Sequence, residues 1–319
     1  VTRIVYLSFP TGAVAGGQKV ILRHVEALNR MGFEAIWWRN TDKAELPWLD
    51  FDAPTEVGTL FRPDDILVVP SDAPNAIRTL AQSRRRTVIF EQNQFSFLNL
   101  GLEQIDAFAP GHAPIFFAVG SINANTIRRV VPGAQVEIVP CFADERVFKP
   151  GTNDLPRVAY APRKRMGEAR IIRQFLGKAH PRHVDLPWVE MSNLPEAAVA
   201  EILGRSALHL SLPRLESVGM TTLEAMACGC VSAGFMGIGG RQYMTADNGF
   251  WVPDDDCEAA ADALAEAADV VATGGARLTA LRDAGRATAD EWSYARFLAK
   301  LEEVWERLAP EARRLPTRA

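Results

Sequence analysis

The feature that most constrains this chain is an alternation. Short apolar runs are separated by stretches of helical periodicity along nearly all of its 319 residues. Ile4–Ser8, Phe33–Trp38, Ile66–Val69, Thr87–Phe90, Ile115–Val119 and Val136–Val139 read as buried strands. Gly17–Met31, Asn75–Gln82, Leu102–Phe108 and Ser121–Val130 read as helices; Val20, Ile21, Val25 and Leu28 line one face of the first, and Gly32 stops it. A β-α-β rhythm of this kind predicts parallel sheets covered by helices on both faces. Right-handed crossovers then gather the loops after the strands on one edge, where ligands of such folds bind.

The rhythm breaks once. Residues 140–156 hold Pro140, Pro150, Gly151 and Pro156 among polar residues, and read as a linker. A second alternation follows, with strands at Arg157–Ala161, Trp188–Met191, Ala207–Ser211, Cys230–Phe235 and Phe250–Val252. Helices are expected at Glu168–Leu176, Glu196–Leu203, Gly219–Ala227, Asp256–Val271, Ala276–Asp290 and Ser293–Leu308. The last carries one apolar stripe (Tyr294, Phe297, Leu298, Leu301, Val304, Trp305, Leu308) behind Ser293 as N-cap. The division expected is residues 1–150 as one Rossmann-like domain, 151–292 as a second, and 293–319 as a helix and tail, the helix contacting the first domain. The Arg313-Arg314 tail reads as disordered, and Arg84-Arg85-Arg86 as a solvated helix end.

Composition narrows the partners. Apolar residues make up 48% and charged residues 23%, enough to build cores and too much for a disordered chain. The net charge of −4 and its even spread argue against a nucleic-acid partner. Four cysteines, Cys141, Cys228, Cys230 and Cys257, make no disulfide scaffold. The five histidines (His24, His112, His180, His183, His209) show no metal spacing, so no metal site is expected. The first residues read as a strand and not as a signal peptide, from which a cytoplasmic location is expected.

The stretch Ser211–Gly240 is the most informative. A strand ends at Ser211, a loop brings Glu216, and a helix follows that carries Glu224 eight positions on. The free N–H groups of a helix start near Ser217, Val218, Gly219, Met220 and Thr221 can hold a phosphate. Glu224 is placed to accept from ribose hydroxyls and Glu216 from those of a hexose. This pattern, two Glu separated by seven residues and followed by Ala-Met-Ala-Cys-Gly, resembles the donor-site motif of family 4 glycosyltransferases. Three more segments fit in order. Gly16-Gly17 resembles the N-terminal glycine loop; Val139–Pro150, with Asp144, Phe148 and Pro150 in place, resembles the interdomain segment; Asn248–Pro253 resembles a late strand of the family.

The resemblance implies a GT-B fold: two Rossmann-like α/β domains with a cleft between them and a C-terminal helix packing back toward the N-domain. It implies a retaining transferase that takes a nucleoside diphosphate-sugar as donor and needs no metal or other cofactor. Arg163, Lys164 and Arg165 stand where the family grips the donor diphosphate, and Glu216, Arg163 and Lys164 are the expected catalytic groups. The expected acceptor is a glycan, a lipid-linked molecule or a small molecule, in a surface polysaccharide or glycoconjugate setting. Contact with the inner membrane face stays open. The chain departs from the pattern in two places. The strand ending Phe90-Glu91-Gln92 lacks the histidine usual nearby, leaving Glu91 and Gln92 as acceptor or sugar contacts. Arg241-Gln242-Tyr243 stands where a Glu is usual. Two other functions remain open on the same architecture: a sugar-nucleotide epimerase, and a degenerate nucleotide-sugar-binding protein.

Overall fold

A computed structural model describes residues 2–9, 15–42 and 46–314. Contacts divide the chain into two units: Val1–Cys141 together with Phe297–Ala319, and Phe142–Arg296.

The first unit is built on strands β1 (Ile4–Ser8), β2 (Ala35–Arg39), β3 (Thr55–Val57), β4 (Ile66–Pro70), β5 (Thr87–Glu91), β6 (Ile115–Ala118) and β7 (Gln135–Ile138). They form one parallel sheet in the order β3-β2-β1-β4-β5-β6-β7. Helices α1 (Gly16–Arg30), α2 (Pro74–Ser83), the single turn α3 (Gln94–Ser96) and α4 (Ser121–Val130) provide the crossovers. β1 and β4 are neighbours, so the strand order reverses there and the loops after them part at the sheet's C-terminal edge. Gly16 opens α1 after β1, and this places the glycine pair at that switch point.

Two features were absent from the sequence reading. β3 is a three-residue edge strand with exposed ends, too short and too polar to leave an alternating pattern. The expected helix Leu102–Phe108 is a 3-10 turn, Leu102–Ala107, preceded by a π-turn over Phe97–Gly101. Gly101 lies so close to the Ser71 carbonyl that a Cβ would come within 2.0 Å of its oxygen, and this contact shapes the backbone there.

The second unit carries β8 (Leu155–Tyr160), β9 (Trp188–Glu190), β10 (Ser206–Ser211), β11 (Val231–Phe235) and β12 (Phe250–Val252), all parallel, in the order β12-β11-β10-β8-β9. The helices are α5 (Met166–Ala179), α6 (Glu196–Arg205), α7 (Met220–Cys228), the single turn α8 (Gly237–Gly240), α9 (Cys257–Thr273) and α10 (Gly275–Glu291). Here the order reverses between β8 and β10. Val158, Leu208, Leu210, Val231 and Phe235 form one core with Ile172 of α5 and Leu264 of α9. Phe148 is buried in a second cluster with Ala159, Leu203 and Ala225, anchoring residues 142–150 to this unit.

Helix α11 (Tyr294–Leu308) begins in the second unit and from Phe297 onward is part of the first. Ser293 Oγ accepts from the Arg296 N–H at 3.4 Å, and the Glu145 carboxylate takes the Tyr294 and Ala295 N–H groups at 2.6 and 3.0 Å. The apolar stripe is consumed: the Phe297 ring lies 4.9 Å from His24, and Trp305 meets Phe117 edge-on at 5.4 Å. The expectation of a disordered Arg313-Arg314 tail is corrected. Arg313 pairs with Phe33 in a β-bridge, its guanidinium lies 5.4 Å from the Phe33 ring centroid, and it bonds Glu302 and Glu306. These contacts lie far apart in sequence, which hides them from a local reading. Among the described residues, no helix is long and apolar enough to cross a membrane.

Phe297 is fully buried. Phe297→Ala therefore removes a large side chain from a packed site and should cost about 3–5 kcal/mol of stability in urea unfolding; a cost under about 1 kcal/mol would show that the helix is not integral to the first unit.

Candidate functional site

The candidate site grows from the second sheet's switch point. The loop after β8 carries Arg163, Lys164 and Arg165, and the loop after β10 carries Glu216. Some fifty residues separate these loops in sequence, yet adjacent parallel strands bring them together: Lys164 Nζ donates to the Arg214 carbonyl at 3.3 Å. Three of the non-glycine residues with positive φ, Arg163 (30°), Leu215 (52°) and Asp255 (69°), fall in this cluster. Such backbone costs on the order of 1–3 kcal/mol per residue and persists where surrounding contacts enforce it.

Glu216 is half-buried. Burial raises its pKa above the ordinary value of 4.5 and Glu224 adds to this, while Arg163, Lys164 and Arg165 favour the charged form. One carboxylate is thus held in the field of three cations and a second carboxylate. Gly219 adopts the left-handed conformation (φ 80°) that turns the chain into α7, and no side chain caps that helix. Its position is crowded. A Cβ there would meet the Tyr243 hydroxyl at 3.3 Å and Glu216 Oε2 at 3.9 Å, so Gly219 serves both for its φ and for the space it leaves. Ser217 and Val218 are buried, while Met220 and Thr221 are partly open. Glu224 is 6% exposed, so it faces inward and not toward solvent.

Two residues noted only as departures from a pattern have a task here. Tyr243 donates its hydroxyl to the Gly219 carbonyl at 3.0 Å, and Gln242 Nε2 donates to the Ser217 carbonyl at 3.1 Å. Together they pin the backbone between Glu216 and α7. Gly239 lets the α8 turn pack against this segment, since a Cβ would lie 2.5 Å from Val218 N. Asn248 donates to the Tyr243 carbonyl at 2.7 Å and braces the arrangement. No motif gives Gln242 or Tyr243 this task, because each acts through a backbone carbonyl distant in sequence.

The three cations of the β8 loop divide by role. Arg163 and Lys164 are exposed. Arg163 makes no hydrogen bond or ion pair among the described residues. Arg165 is 3% exposed and fully engaged: it donates to the Pro213 carbonyl at 2.9 Å, pairs with Glu168, Asp254 and Asp255, and lies 4.6 Å above the Phe235 ring centroid. It ties the β8 loop to the β10 loop and to the segment after β12.

A second group of expected residues lies in the first unit, at the C-terminal end of β5. Gly17 sits beside Gln92, whose Oε1 would be 3.0 Å from a Cβ on that glycine. Glu91 is fully buried, and its Oε2 accepts from Asn123 Nδ2 at 2.5 Å. Glu91 Oε1 and Asn123 Oδ1 have no hydrogen-bond partner among the described residues. Burial pushes the Glu91 carboxyl up to about 7, against hydrogen bonds from Asn123 and the Asn93 backbone that favour its charged form. The sequence reading had no signal for Asn123, which sits in the first turn of α4.

Two parallel α/β units of this kind define the GT-B architecture of glycosyltransferase structures. The chain superposes on sucrose-phosphate synthase of Thermosynechococcus elongatus with a TM-score of 0.73 at 14% identity, covering 98% of this chain and 100% of that one. It superposes on Anabaena HepE in complex with UDP-glucose with a TM-score of 0.66 at 13% identity, covering 96% and 100%. In sequence it is 23% identical over 281 residues to the alpha-1,6-glucosyltransferase of Actinobacillus pleuropneumoniae serotype 7 (strain AP76), over 83% of each chain. No family model matches the chain.

The Glu91 geometry carries a stability prediction. A carboxyl that titrates near 7 when folded and near 4.5 when unfolded supports the fold fully below about pH 4.5, and loses that support as pH rises through 7. Glu91→Gln keeps the shape and removes the titration. In urea melts between pH 4.5 and 8, the variant should show a decline smaller than wild type by on the order of 3 kcal/mol; parallel curves for both proteins would refute the assignment.

Proposed function

We propose that the chain is a glycosyltransferase that moves a sugar from a nucleoside diphosphate-sugar, UDP-linked in the first instance, to a hydroxyl acceptor. The observation that carries this reading is the meeting, at one switch point, of two exposed cations, an uncapped helix start and a half-buried carboxylate. Arg163 and Lys164 would neutralise the departing diphosphate, with the N–H groups at Gly219, Met220 and Thr221 adding their partial charge. Glu216 would hold the sugar hydroxyls and Glu224 the ribose. Arg165, already bound to three carboxylates, would act by holding the loops and not by touching phosphate.

Three further parts belong to the proposal. The stereochemistry would be retaining, as in family 4, without metal or other cofactor. Residues 1–150 would serve the acceptor through Glu91 and Gln92, and Gly16-Gly17 would let backbone approach a phosphate; residues 151–292 would serve the donor. The setting would be cytoplasmic synthesis of a surface glycan or glycoconjugate. UDP-glucose in one structural neighbour and a glucosyltransferase among the relatives support the donor class. The similar proteins named above include a glucosyltransferase and a sugar-phosphate synthase, which disfavours the epimerase and degenerate readings.

Glu216→Ala should bind UDP about as well as wild type in calorimetry, lose the additional affinity for UDP-glucose, and release UDP at least about a hundredfold more slowly over an acceptor panel. Arg163→Ala/Lys164→Ala should weaken UDP itself. Full turnover in Glu216→Ala would remove the assignment.

A further inference from the structure

The arginine triplet after α2 ends that helix with Arg84 and Arg86 exposed, and it also borders a cavity. Arg84, Arg85 and Arg86 line an open cavity of about 250 Å³ in the first unit. The cavity reaches Ile66, Thr87 and Ile115, where β4, β5 and β6 begin, so it lies at the N-terminal edge of the sheet, away from Glu91 at the opposite edge. Its accessible apolar surface comes from Ala113, Ile115 and Leu308, with the buried Val88 and Trp305 closing the wall behind them. Among the described residues, no Asp or Glu lines it.

The charges are unequally spent. Arg84 caps α2 in the left-handed conformation (φ 54°), is exposed, and makes no hydrogen bond or ion pair among the described residues. Arg85 gives its guanidinium to the Arg62 and Phe61 carbonyls, which orient it without neutralising it. Arg86 bonds the Leu308 carbonyl and the Glu311 carboxylate. Glu311 is the one carboxylate bonded to the triplet among the described residues, so two positive charges stand uncompensated beside exposed His112. Arg85, oriented by those carbonyls, and Arg84, which has no partner among the described residues, match the two charges and several acceptor oxygens of a phosphate monoester better than a single carboxylate. The apolar side of the cavity asks for a ring or alkyl body behind that phosphate.

We propose that this cavity is a second ligand site, which takes a phosphate monoester carried on a small ring or apolar body. Its source is either a soluble phosphorylated molecule or the headgroup of an anionic lipid, and the test separates the two. The full chain is used, with Arg163→Ala/Lys164→Ala as background so that phosphate at the candidate donor site does not count. Phenyl phosphate and inorganic phosphate are titrated by calorimetry at low salt. Sedimentation is measured with phosphatidylcholine vesicles with and without phosphatidic acid. Phenyl phosphate should bind saturably and more tightly than inorganic phosphate, and Arg84→Glu should weaken it at least about tenfold. Arg128→Glu, an equal change of charge on α4 outside the cavity, should leave binding intact. Binding of the soluble probe without the vesicles identifies a soluble ligand. Binding of phosphatidic acid vesicles alone, lost in Arg84→Glu, identifies a lipid headgroup. Absence of saturable binding in both arms, or binding that Arg84→Glu leaves unchanged, overturns the proposal.

Discussion

The segment from Glu216 to Gly219 depends on being held from behind. Its own residues make a strained loop, with Leu215 at positive φ and an uncapped helix start. What keeps it in place is a set of backbone bonds: Tyr243 to the Gly219 carbonyl and Gln242 to the Ser217 carbonyl, with Arg165 holding the Pro213 carbonyl just ahead of it. That held backbone carries Glu216 into the field of Arg163, Lys164 and Arg165, which favour its charged form against its burial. Rigid placement of this kind separates a site from a surface ion pair.

The two units solve one problem with different side chains. Each is a parallel sheet whose order reverses once, and each gathers polar residues at the C-terminal ends of its strands. In the second unit the cluster is ionic and partly open. In the first it is a buried acid, Glu91, sharing one hydrogen bond with Asn123 and titrating near neutrality. The first unit also carries charge at the other end of the same sheet, where Arg84 to Arg86 surround a cavity. Helix α11 supplies Trp305 and Leu308 to that cavity, so one apolar stripe serves both as core and as lining.

Most strands and long helices were legible because each carries a pattern of its own. Ser121–Val130 and Phe250–Val252 match to the residue, and the other long helices differ by a few residues at their ends. β3 and the π and 3-10 turns of residues 97–107 were not legible. The first has no apolar alternation, and the second are shaped by contact with Ser71 and by Asn93, whose side chain accepts from Phe95 and Ser96. Of the candidate site, Glu216, Glu224 and Gly219 announce themselves by spacing within one strand-loop-helix unit. Tyr243, Gln242 and Asn123 do not, since their partners are reached only through the fold.

The sequence by itself determined the architecture, the position of both polar sheet edges and the pair of acids around α7. These follow from local periodicity and from the short-range geometry of a strand feeding a helix. Only the tertiary structure divided the labour within Arg163-Lys164-Arg165. Three adjacent cations look alike along a chain, but burial against Phe235 with Asp254, Asp255 and Glu168 commits one of them. It likewise turned a run of arginines after α2 into the wall of a cavity, because the groups that complete that wall, Trp305 and Leu308, arrive from more than two hundred residues away.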